Sequence, residues 1–254
     1  MNGLDGRVAL VTGAGQGIGA AIARRLAAAG ALVAVNSLHA DKARRTAEQV
    51  TAAGGKAVAV PGDVANPADV ESFITETESA LGPVEVLVNN AAILSMAPFV
   101  EFDRNEFDRI INVNLTGPML CTRAVLPAMR SSRWGRIITV ASIWGIIGAR
   151  GAAPYSASKG GLIGFTRALA DEVAGDGVFV TAIAPGVVDT PQLTADAAFA
   201  GVSVTEIKQR YADDTLVNRI ATADEIAGLI VWLAANHTGA FSGETVAVTG
   251  GRSE

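Results

Sequence analysis

The stretch from Ser142 to Lys159 contains three side chains that could perform acid–base chemistry together. Tyr155 and Lys159 are four residues apart, so on a helix they share one face, with roughly 5–6 Å between their Cβ atoms. A phenol has an ordinary pKa of about 10, and a fixed ammonium group beside it would lower that pKa toward neutral pH. Ser142 could hydrogen-bond to the same oxygen. The pattern indicates a proton donor, a cation that tunes it and a positioning hydroxyl, although Tyr-x-x-x-Lys pairs also occur by chance on helix surfaces.

A glycine-rich turn near the N-terminus indicates nucleotide binding. Residues 7–11 predict a buried strand, and the alanine-rich residues 20–29 predict a helix. Between them, Gly13, Gly17 and Gly19 follow a G-x-x-x-G-x-G spacing rather than the common G-x-G-x-x-G. Glycines at such a junction permit a tight turn and let free N–H groups at the helix start approach a phosphate. We therefore expect a dinucleotide here, with a plain tight turn as the alternative.

Segments typical of strands and helices alternate along the rest of the chain. The predicted strands are residues 7–11, 31–37, 56–61, 84–88, 136–140, 178–184 and 245–248, and the predicted helices are residues 20–29, 40–53, 67–81, 104–130, 154–174 and 223–235. This alternation predicts an α/β fold, a doubly wound parallel sheet of seven strands with helices on both faces. No linker or repeat interrupts it, so residues 1–254 are expected to form a single domain. Residues 190–215 look less regular and predict a mobile insert that could act as a substrate lid.

The ends of the predicted strands are the expected binding edge, because ligands of open parallel sheets bind beyond the carboxyl ends of the strands. The residues at those ends are Gly13, Ser37, Asp63, Asn89, Asn90, Ser142 and Pro185. The presumed nucleotide and the possible acid–base trio therefore meet at one edge. This juxtaposition favours a catalytic interpretation of Tyr155 more than its own motif does.

Composition excludes several other classes of protein. The chain has 254 residues, 50% hydrophobic and 18% charged, with a net charge of −5, so it is expected to be globular. Without a basic stripe, nucleic-acid or anionic-membrane binding is not expected. The apolar runs are too short to span a bilayer, and no signal-peptide pattern is present. Cys121 is the single cysteine, which suits a cytoplasmic protein and reads as a core thiol. His39 and His237 are far apart in sequence, which disfavours a Ser-His-Asp hydrolase or a metal site.

The ordered set of motifs resembles the short-chain dehydrogenase/reductase family over nearly the whole chain. The matching segments are Thr12 to Gly19, Asp63-Val64, Asn89-Asn90-Ala91, Asn112-Val113-Asn114, Ser142, Tyr155-x-x-x-Lys159, Pro185-Gly186-x-x-x-Thr190 and Gly250-Gly251. The chain is similar to 3-oxoacyl-carrier-protein reductases and to sugar and secondary-alcohol dehydrogenases of that family. It departs from the family pattern at Ala92, Thr181 and Ala223, and Ala92 puts the local backbone near the cofactor in question.

The resemblance implies four catalytic residues. Tyr155 would be the general acid/base, Lys159 would lower its pKa and hold the nicotinamide ribose, and Ser142 would polarise the substrate carbonyl. Asn114 would hold a water in a proton relay. Ser142, Trp144 and Tyr155 would contact the substrate. No metal is implied.

The resemblance also implies a nicotinamide cofactor. Its implied binding residues are Gly13, Gln16, Gly17, Ile18, Gly19, Ser37, Asp63, Val64, Asn90, Tyr155, Lys159, Pro185, Gly186, Val188 and Thr190. Asp63 would flank the adenine, although it could instead only cap the following helix.

Cofactor choice depends on the end of the second strand, where NAD enzymes of this type carry an acidic residue. Ser37 stands there, which favours NADP(H) and leaves NAD(H) possible. Few basic residues are placed to bind a 2′-phosphate, because Gln16 and Leu38 stand where basic residues are frequent. His39 could approach the phosphate, and so could Lys42 or Arg44 on the next helix, although those two read more readily as solvated helix charges. We therefore expect weak discrimination.

The expected activity is hydride transfer between the nicotinamide and a secondary alcohol or ketone. A 3-oxoacyl-carrier-protein reductase and a non-catalytic nucleotide-binding sensor on the same fold are the alternatives, with an epimerase or dehydratase a third. Trp144, Ile146 and Ile147 could form a substrate wall or belong to the core, and Phe199 and Tyr211 could form a lid or a subunit contact. The family commonly forms tetramers through the helices matching residues 104–130 and 154–174, so a homotetramer is expected.

Overall fold

The computed structural model of the protein describes residues 3–235 and 239–251, so His237 lies outside the described residues. Its centre is a seven-stranded sheet in which every neighbouring pair is parallel. The strands are β1 (Val8–Val11), β2 (Leu32–Ser37), β3 (Lys56–Pro61), β4 (Val86–Asn89), β5 (Gly135–Val140), β6 (Val178–Pro185) and β7 (Thr245–Val248). Their order, β3-β2-β1-β4-β5-β6-β7, confirms the predicted doubly wound seven-stranded sheet.

Ten α-helices connect or flank the strands in the described part of the chain. They are α1 (Gly17–Ala28), α2 (Ala40–Ala52), α3 (Pro67–Leu81), α4 (Arg104–Ile111), α5 (Gly117–Ser132), α6 (Trp144–Ile147), α7 (Ala153–Glu172), α8 (Leu193–Ala200), α9 (Val204–Asp213) and α10 (Ala223–Ala235). None of those helices combines the length and the apolar composition that a membrane span requires.

The core lies in two layers, one on each face of the sheet. Helices α1, α2 and α10 pack on one face, and α3, α5 and α7 pack on the other. Strand β1 shows why, because successive side chains of a strand point to opposite faces. Ala9 and Val11 join the first layer, while Val8 and Leu10 join the second. Burying each large side chain contributes about 1.5–3 kcal/mol to folding, so the side chains on both faces stabilise the sheet between its two helix layers.

The binding edge follows from the strand order. The chain winds outward from β1 through β2 to β3, then crosses back so that β4 lies on the other side of β1. The connections leaving β1 and β4 therefore diverge and open a crevice at their carboxyl ends. Gly13 and Asn90 follow these two strands at the crevice.

The long helix predicted over residues 104–130 is interrupted. A π-helical turn, Asn112–Thr116, separates α4 from α5. The break falls at neither proline of this segment, because Pro118 lies in the first turn of α5 and Pro127 lies inside it. The extra residue of a π-turn rotates the helix face, and here Asn114 becomes fully buried.

The prediction of an irregular segment over residues 190–215 is wrong. Helices α8 and α9 occupy most of it, and Gly201, at a φ of +66°, separates them. The Ser203 hydroxyl caps α9 by accepting from the Glu206 N–H at 3.2 Å. Buried Leu193 and Ile207 anchor the two helices. Their brevity hid the helical periodicity, which needs a longer window to show.

Candidate active site

A cavity of about 720 Å³ lies over the carboxyl ends of the strands, within the range of small-molecule sites. Within the described residues, every predicted cofactor or substrate residue lines it, and so do Ser142, Tyr155 and Lys159. The exception among the predicted site residues is Asn114. No group of three potential metal-binding side chains occurs in residues 3–235 and 239–251.

The glycine-rich turn has room for backbone only. Gly13 has a φ of +64°, and a Cβ on it would lie 2.7 Å from the Ala91 Cα. A Cβ on Gly19 would lie 2.5 Å from both the Gly13 carbonyl oxygen and the Asn90 Nδ2. Gly17 has a φ of +56°, a backbone angle that residues with a side chain rarely adopt. The sequence spacing G-x-x-x-G-x-G therefore marks a close approach of α1 to the turn.

The start of α1 fits the pyrophosphate of a dinucleotide. Its N-cap residue is Gln16, whose side chain makes no capping hydrogen bond, and its first turn contains no acidic residue. The first N–H groups of an α-helix have no partner within the helix, and its N-terminus carries partial positive charge. Because this end opens on the cavity, it is a suitable place for an anion.

Thr12 joins the two strands that flank the crevice, and sequence reasoning did not identify it as a site residue. Its hydroxyl accepts from the N–H groups of Asn90 at 3.0 Å and Ala91 at 3.1 Å. The Asn90 side chain in turn donates to the carbonyl oxygens of Thr12 at 2.9 Å and Gly13 at 3.2 Å. Asn90 therefore fixes the glycine turn against β4. The Thr-Gly pair at the end of the first strand was the available signal.

The far end of the cavity carries a cation that was misread from the sequence. Lys42 lines the cavity, and its Nζ donates to the Gln16 Oε1 at 3.1 Å, so Lys42 is not merely a solvated helix charge. Gly15 brings it close, since a Cβ there would lie 2.7 Å from both the Lys42 Cβ and the Ser37 Oγ. His39 also lines this end, whereas Arg44 does not. Ser37, Gln16 and Lys42 thus surround one corner without a carboxylate among them.

Asp63 is not the cap of the helix that follows it. That cap is Asn66, whose Oδ1 accepts from the Ala68 N–H at 3.0 Å. The Asp63 Oδ1 accepts from the Ala65 N–H at 2.9 Å, and its residue lines the cavity beside Val64. The simple capping alternative is therefore wrong, and a role of Asp63 at the adenine stays a prediction.

Tyr155 is held between a serine and a tryptophan. It lies in the first turn of α7, directly after Pro154, and is half-buried. The Trp144 ring packs edge-on against it, with ring centroids 6.0 Å apart. The Ser142 Oγ accepts from the Trp144 N–H at 3.1 Å, which leaves its hydroxyl hydrogen for the Tyr155 side. Ile146 and Ile147 are exposed and not among the lining residues, so only Trp144 of the predicted apolar wall faces the cavity.

Lys159 lies beneath Tyr155, one turn along α7. Its side chain is only 2% exposed, and its Nζ donates to the Val140 carbonyl oxygen at 2.7 Å. The Nζ is 5.6 Å from the centroid of the Tyr155 ring. Gly145 lets α6 pack this closely, since a Cβ on it would lie 2.7 Å from the Lys159 carbonyl carbon. Helix α7 is therefore fixed to the end of β5 by a buried cation.

Burial dominates the ionisation of Tyr155 and Lys159 in this arrangement. Burial raises the pKa of Tyr155 to about 12, a hydrogen bond from Ser142 lowers it, and the Asp196 charge raises it. Burial also lowers the pKa of Lys159 to about 7. Burial therefore disfavours the charged form of both groups, and the lowering of the Tyr155 pKa by Lys159 stays a prediction.

Asn114 lies behind the cavity wall and is fully buried. Its Oδ1 accepts from the Ile93 N–H at 2.8 Å, and its Nδ2 donates to the Ile93 carbonyl oxygen at 2.9 Å and the Ser158 Oγ at 3.2 Å. Both ends of the side-chain amide are thus engaged, which ties α7 to the loop after β4. The predicted water relay stays a prediction, and the peptide groups of the π-turn are its remaining contact points.

The burial of Lys159 predicts a pH-dependent stability. Its pKa is about 7 when folded and about 10.4 when unfolded, so between these values the unfolded chain binds more protons. Stability contributed at this site therefore rises with pH across that window. The Lys159→Met variant should lose its advantage over the wild type by about 2–3 kcal/mol between about pH 6 and pH 9, by urea unfolding without cofactor. A difference that does not change with pH would show that Lys159 stays charged.

The comparisons with known proteins agree with this geometry. The family model for short chain dehydrogenase matches residues 7–199. A 3-oxoacyl-(acyl-carrier-protein) reductase of Escherichia coli (strain K12) is 36% identical over 249 residues, which cover 97% of each chain. The acetoacetyl-CoA reductase of Shinella zoogloeoides is 39% identical over 246 residues, covering 97% of this chain and 98% of that one.

A solved structure shares the fold at high similarity. A crystal structure of a variant of actinorhodin polyketide ketoreductase with NADPH aligns at a TM-score of 0.92 and 35% identity, covering 96% of each chain. The family and enzyme class predicted from the sequence are confirmed. The chain contains the glycine turn and the Ser142–Tyr155–Lys159 trio, and its relatives match it along nearly their whole length. It therefore belongs to the short-chain dehydrogenase family of oxidoreductases.

Proposed function

We propose that the protein moves a hydride between NADP(H) and a secondary alcohol or ketone. The observation that carries this proposal is the joint placement of Ser142 and Tyr155 on one cavity wall with Lys159 directly beneath. The same cavity contains the glycine turn and the open start of α1, which fit the cofactor pyrophosphate. When bound, NADP(H) supplies or accepts the hydride.

The residues of the chain handle the proton. In the direction of reduction, the Tyr155 hydroxyl donates a proton to the carbonyl oxygen of the substrate, and the Ser142 hydroxyl donates a hydrogen bond to the same oxygen. Burial raises the pKa of Tyr155 to about 12, whereas the hydrogen bond from Ser142 lowers it and so favours release of the proton. The Trp144 ring against Tyr155 restricts the angle at which a substrate enters.

Lys159 completes the proton transfer. Once Tyr155 has given up its proton, the phenolate is an anion about one helical turn from a buried amine. Protonation of that amine and ionisation of the phenol then favour each other, so the two groups titrate as a pair. When protonated, Lys159 stabilises the phenolate by its charge, and a proton from solvent then restores the phenol.

The choice of NADP(H) is supported by three observations. Ser37 places no carboxylate at the end of β2, where one would repel a 2′-phosphate. Lys42 reaches the same corner of the cavity through Gln16. The actinorhodin ketoreductase, a structural neighbour, has NADPH in its crystal structure.

Two alternatives are open for the substrate and role. The 3-oxoacyl-(acyl-carrier-protein) reductases and the acetoacetyl-CoA reductase among the relatives act on ketones carried by large thioesters. A non-catalytic nucleotide sensor on this fold is disfavoured because Ser142, Tyr155 and Lys159 are all present in reacting geometry. A panel of ketones and alcohols with both cofactors separates these functions, since a sensor would turn over none.

Assembly as a homotetramer in the cytoplasm is part of the proposal. Helices α5 and α7 share a mainly apolar surface groove of about 290 Å³, whose lining includes Met119, Leu126, Phe165 and Leu169. An apolar groove on two adjacent helices suits the helix-to-helix contact that the family commonly uses. The single cysteine, Cys121, is buried, and this burial raises the pKa of its thiol to about 12. A buried thiol of this kind needs no oxidising compartment, which agrees with the proposed cytoplasmic location.

The tetramer proposal predicts a specific loss. Leu126→Glu places a charge in the groove, so it should reduce the mass in solution from four 25.9 kDa chains to a smaller species. Light scattering at micromolar concentration measures this. A wild type that is already monomeric there would contradict the proposal.

The central test of the mechanism is Tyr155→Phe. The variant keeps the ring against Trp144 but has no proton to give, so turnover should fall by at least about two orders of magnitude. NADPH binding, followed by fluorescence, should persist. Near-normal turnover in the variant would rule out Tyr155 as the general acid.

Cofactor choice is tested by kcat/KM with NADPH and NADH on one substrate. The wild type should favour NADPH weakly, and Ser37→Asp should shift the ratio toward NADH by about tenfold, or 1.4 kcal/mol, because the carboxylate repels the 2′-phosphate. Lys42→Met should shift it in the same direction. A wild-type preference for NADH above about tenfold would contradict the assignment.

A further inference from the structure

A buried carboxyl group lies on the wall of the active-site cavity and has no role in the mechanism above. Asp196, in α8, is only 6% exposed and lines the cavity. Its Oδ2 accepts from the Tyr211 hydroxyl at 3.1 Å. Its Oδ1 is buried and has no hydrogen-bond partner among the described residues. One oxygen of this carboxyl is therefore held by Tyr211, and the other is buried and unpaired in the wall of the cavity.

An unpartnered carboxyl oxygen is costly in a folded protein. Leaving a buried polar atom without a hydrogen bond costs roughly 1–3 kcal/mol, and more when the group is charged. Such atoms are rare in native structures and call for an explanation, such as a ligand or a water. Because the Asp196 side chain lines the cavity, a ligand there can supply the missing donor.

The position of Asp196 is on the substrate side of the site. Its charge is close enough to raise the pKa of Tyr155, so the two groups lie near one another. Burial raises the pKa of Asp196 itself, while the Tyr211 hydroxyl lowers it. The Phe199 ring, on the same helix, lies against Gly151 in the loop before α7, because a Cβ there would be 2.5 Å from the Phe199 Cζ. Helix α8 is thus docked beside Tyr155.

We infer that Asp196 is a specificity-determining residue, and that the substrate carries a hydrogen-bond donor, a hydroxyl or an amine, near its reacting carbon, which the Asp196 Oδ1 accepts. The inference rests on the proposed function and narrows its substrate class to hydroxy- or amino-ketones and the corresponding alcohols. A plain alkyl ketone would cover Oδ1 without pairing it. Sites built to hydrogen-bond a substrate hydroxyl discriminate strongly against analogues that lack it.

The test compares matched ketones in the wild type and in Asp196→Asn, with NADPH as the reductant. The probes are short ketones with a hydroxyl or an amine on the first, second or third carbon from the carbonyl, each paired with the alkyl ketone of equal length. At least one wild-type pair should differ in kcat/KM by more than about tenfold in favour of the donor-bearing ketone. Asp196→Asn should reduce that ratio by about tenfold or more, and NADPH affinity should not change.

A matched control and a second variant keep the test decisive. Asp213→Asn alters an exposed carboxylate on α9 that accepts a hydrogen bond from the Gln209 side chain, and it should leave the ratio unchanged. Asp196→Ser serves if the Asn variant does not fold, and thermal unfolding checks both. If neither variant folds, the wild-type kcat/KM ratios decide whether the site prefers a substrate that carries a hydrogen-bond donor.

Each outcome separates this inference from the proposed function. Equal turnover of both members of every pair by the wild type, or an unchanged ratio in the Asp196 variants, overturns the inference and leaves the proposed function standing. A loss of NADPH affinity with an unchanged ratio also overturns it, because Asp196 would then serve the cofactor. A wild type that reduces no ketone of the panel, and oxidises none of the corresponding alcohols, overturns both.

Discussion

The hydrogen bond from the Lys159 Nζ to the Val140 carbonyl oxygen is the contact on which the geometry of the site depends. It joins the helix that carries Tyr155 to the last residue of β5, two residues before Ser142. A buried amine cannot leave its one main-chain acceptor without a large desolvation cost. The distance between Ser142 and Tyr155 therefore depends on Lys159, to which the proposed mechanism also gives a role in proton transfer.

The same burial dominates the ionisation of Tyr155 and Lys159. The Tyr-x-x-x-Lys spacing specifies which two groups are neighbours, and it specifies nothing about how much water surrounds them. Burial disfavours the charged form of each, and it moves the two pKa values in opposite directions, Tyr155 upward and Lys159 downward. Which of the two groups carries the proton is therefore a property of the coupled pair.

Sequence patterns predicted most of what the backbone does at the binding edge. The seven strands, the glycine turn and the Pro154 start of α7 follow from periodicity and from residues with strict backbone preferences. Features that depend on contacts between distant segments were missed. The π-turn that buries Asn114 and the reach of Lys42 to Gln16 have no local signature, and the Thr-Gly pair was the only local mark of the Thr12 link between β1 and β4. The short helices α8 and α9 were missed because buried Leu193 and Ile207 stabilise them through tertiary packing.

The polar groups left without partners divide the cavity into two functional halves. On one side, the start of α1 presents N–H groups that no side chain caps in the described structure, and these suit an anion. On the other, the Asp196 Oδ1 presents an acceptor that suits a donor. This difference in sign matches the two ligands proposed above, a phosphate chain and a substrate that carries a hydrogen-bond donor. Tyr155 stands where the halves meet, which is where a proton has to pass while the hydride crosses.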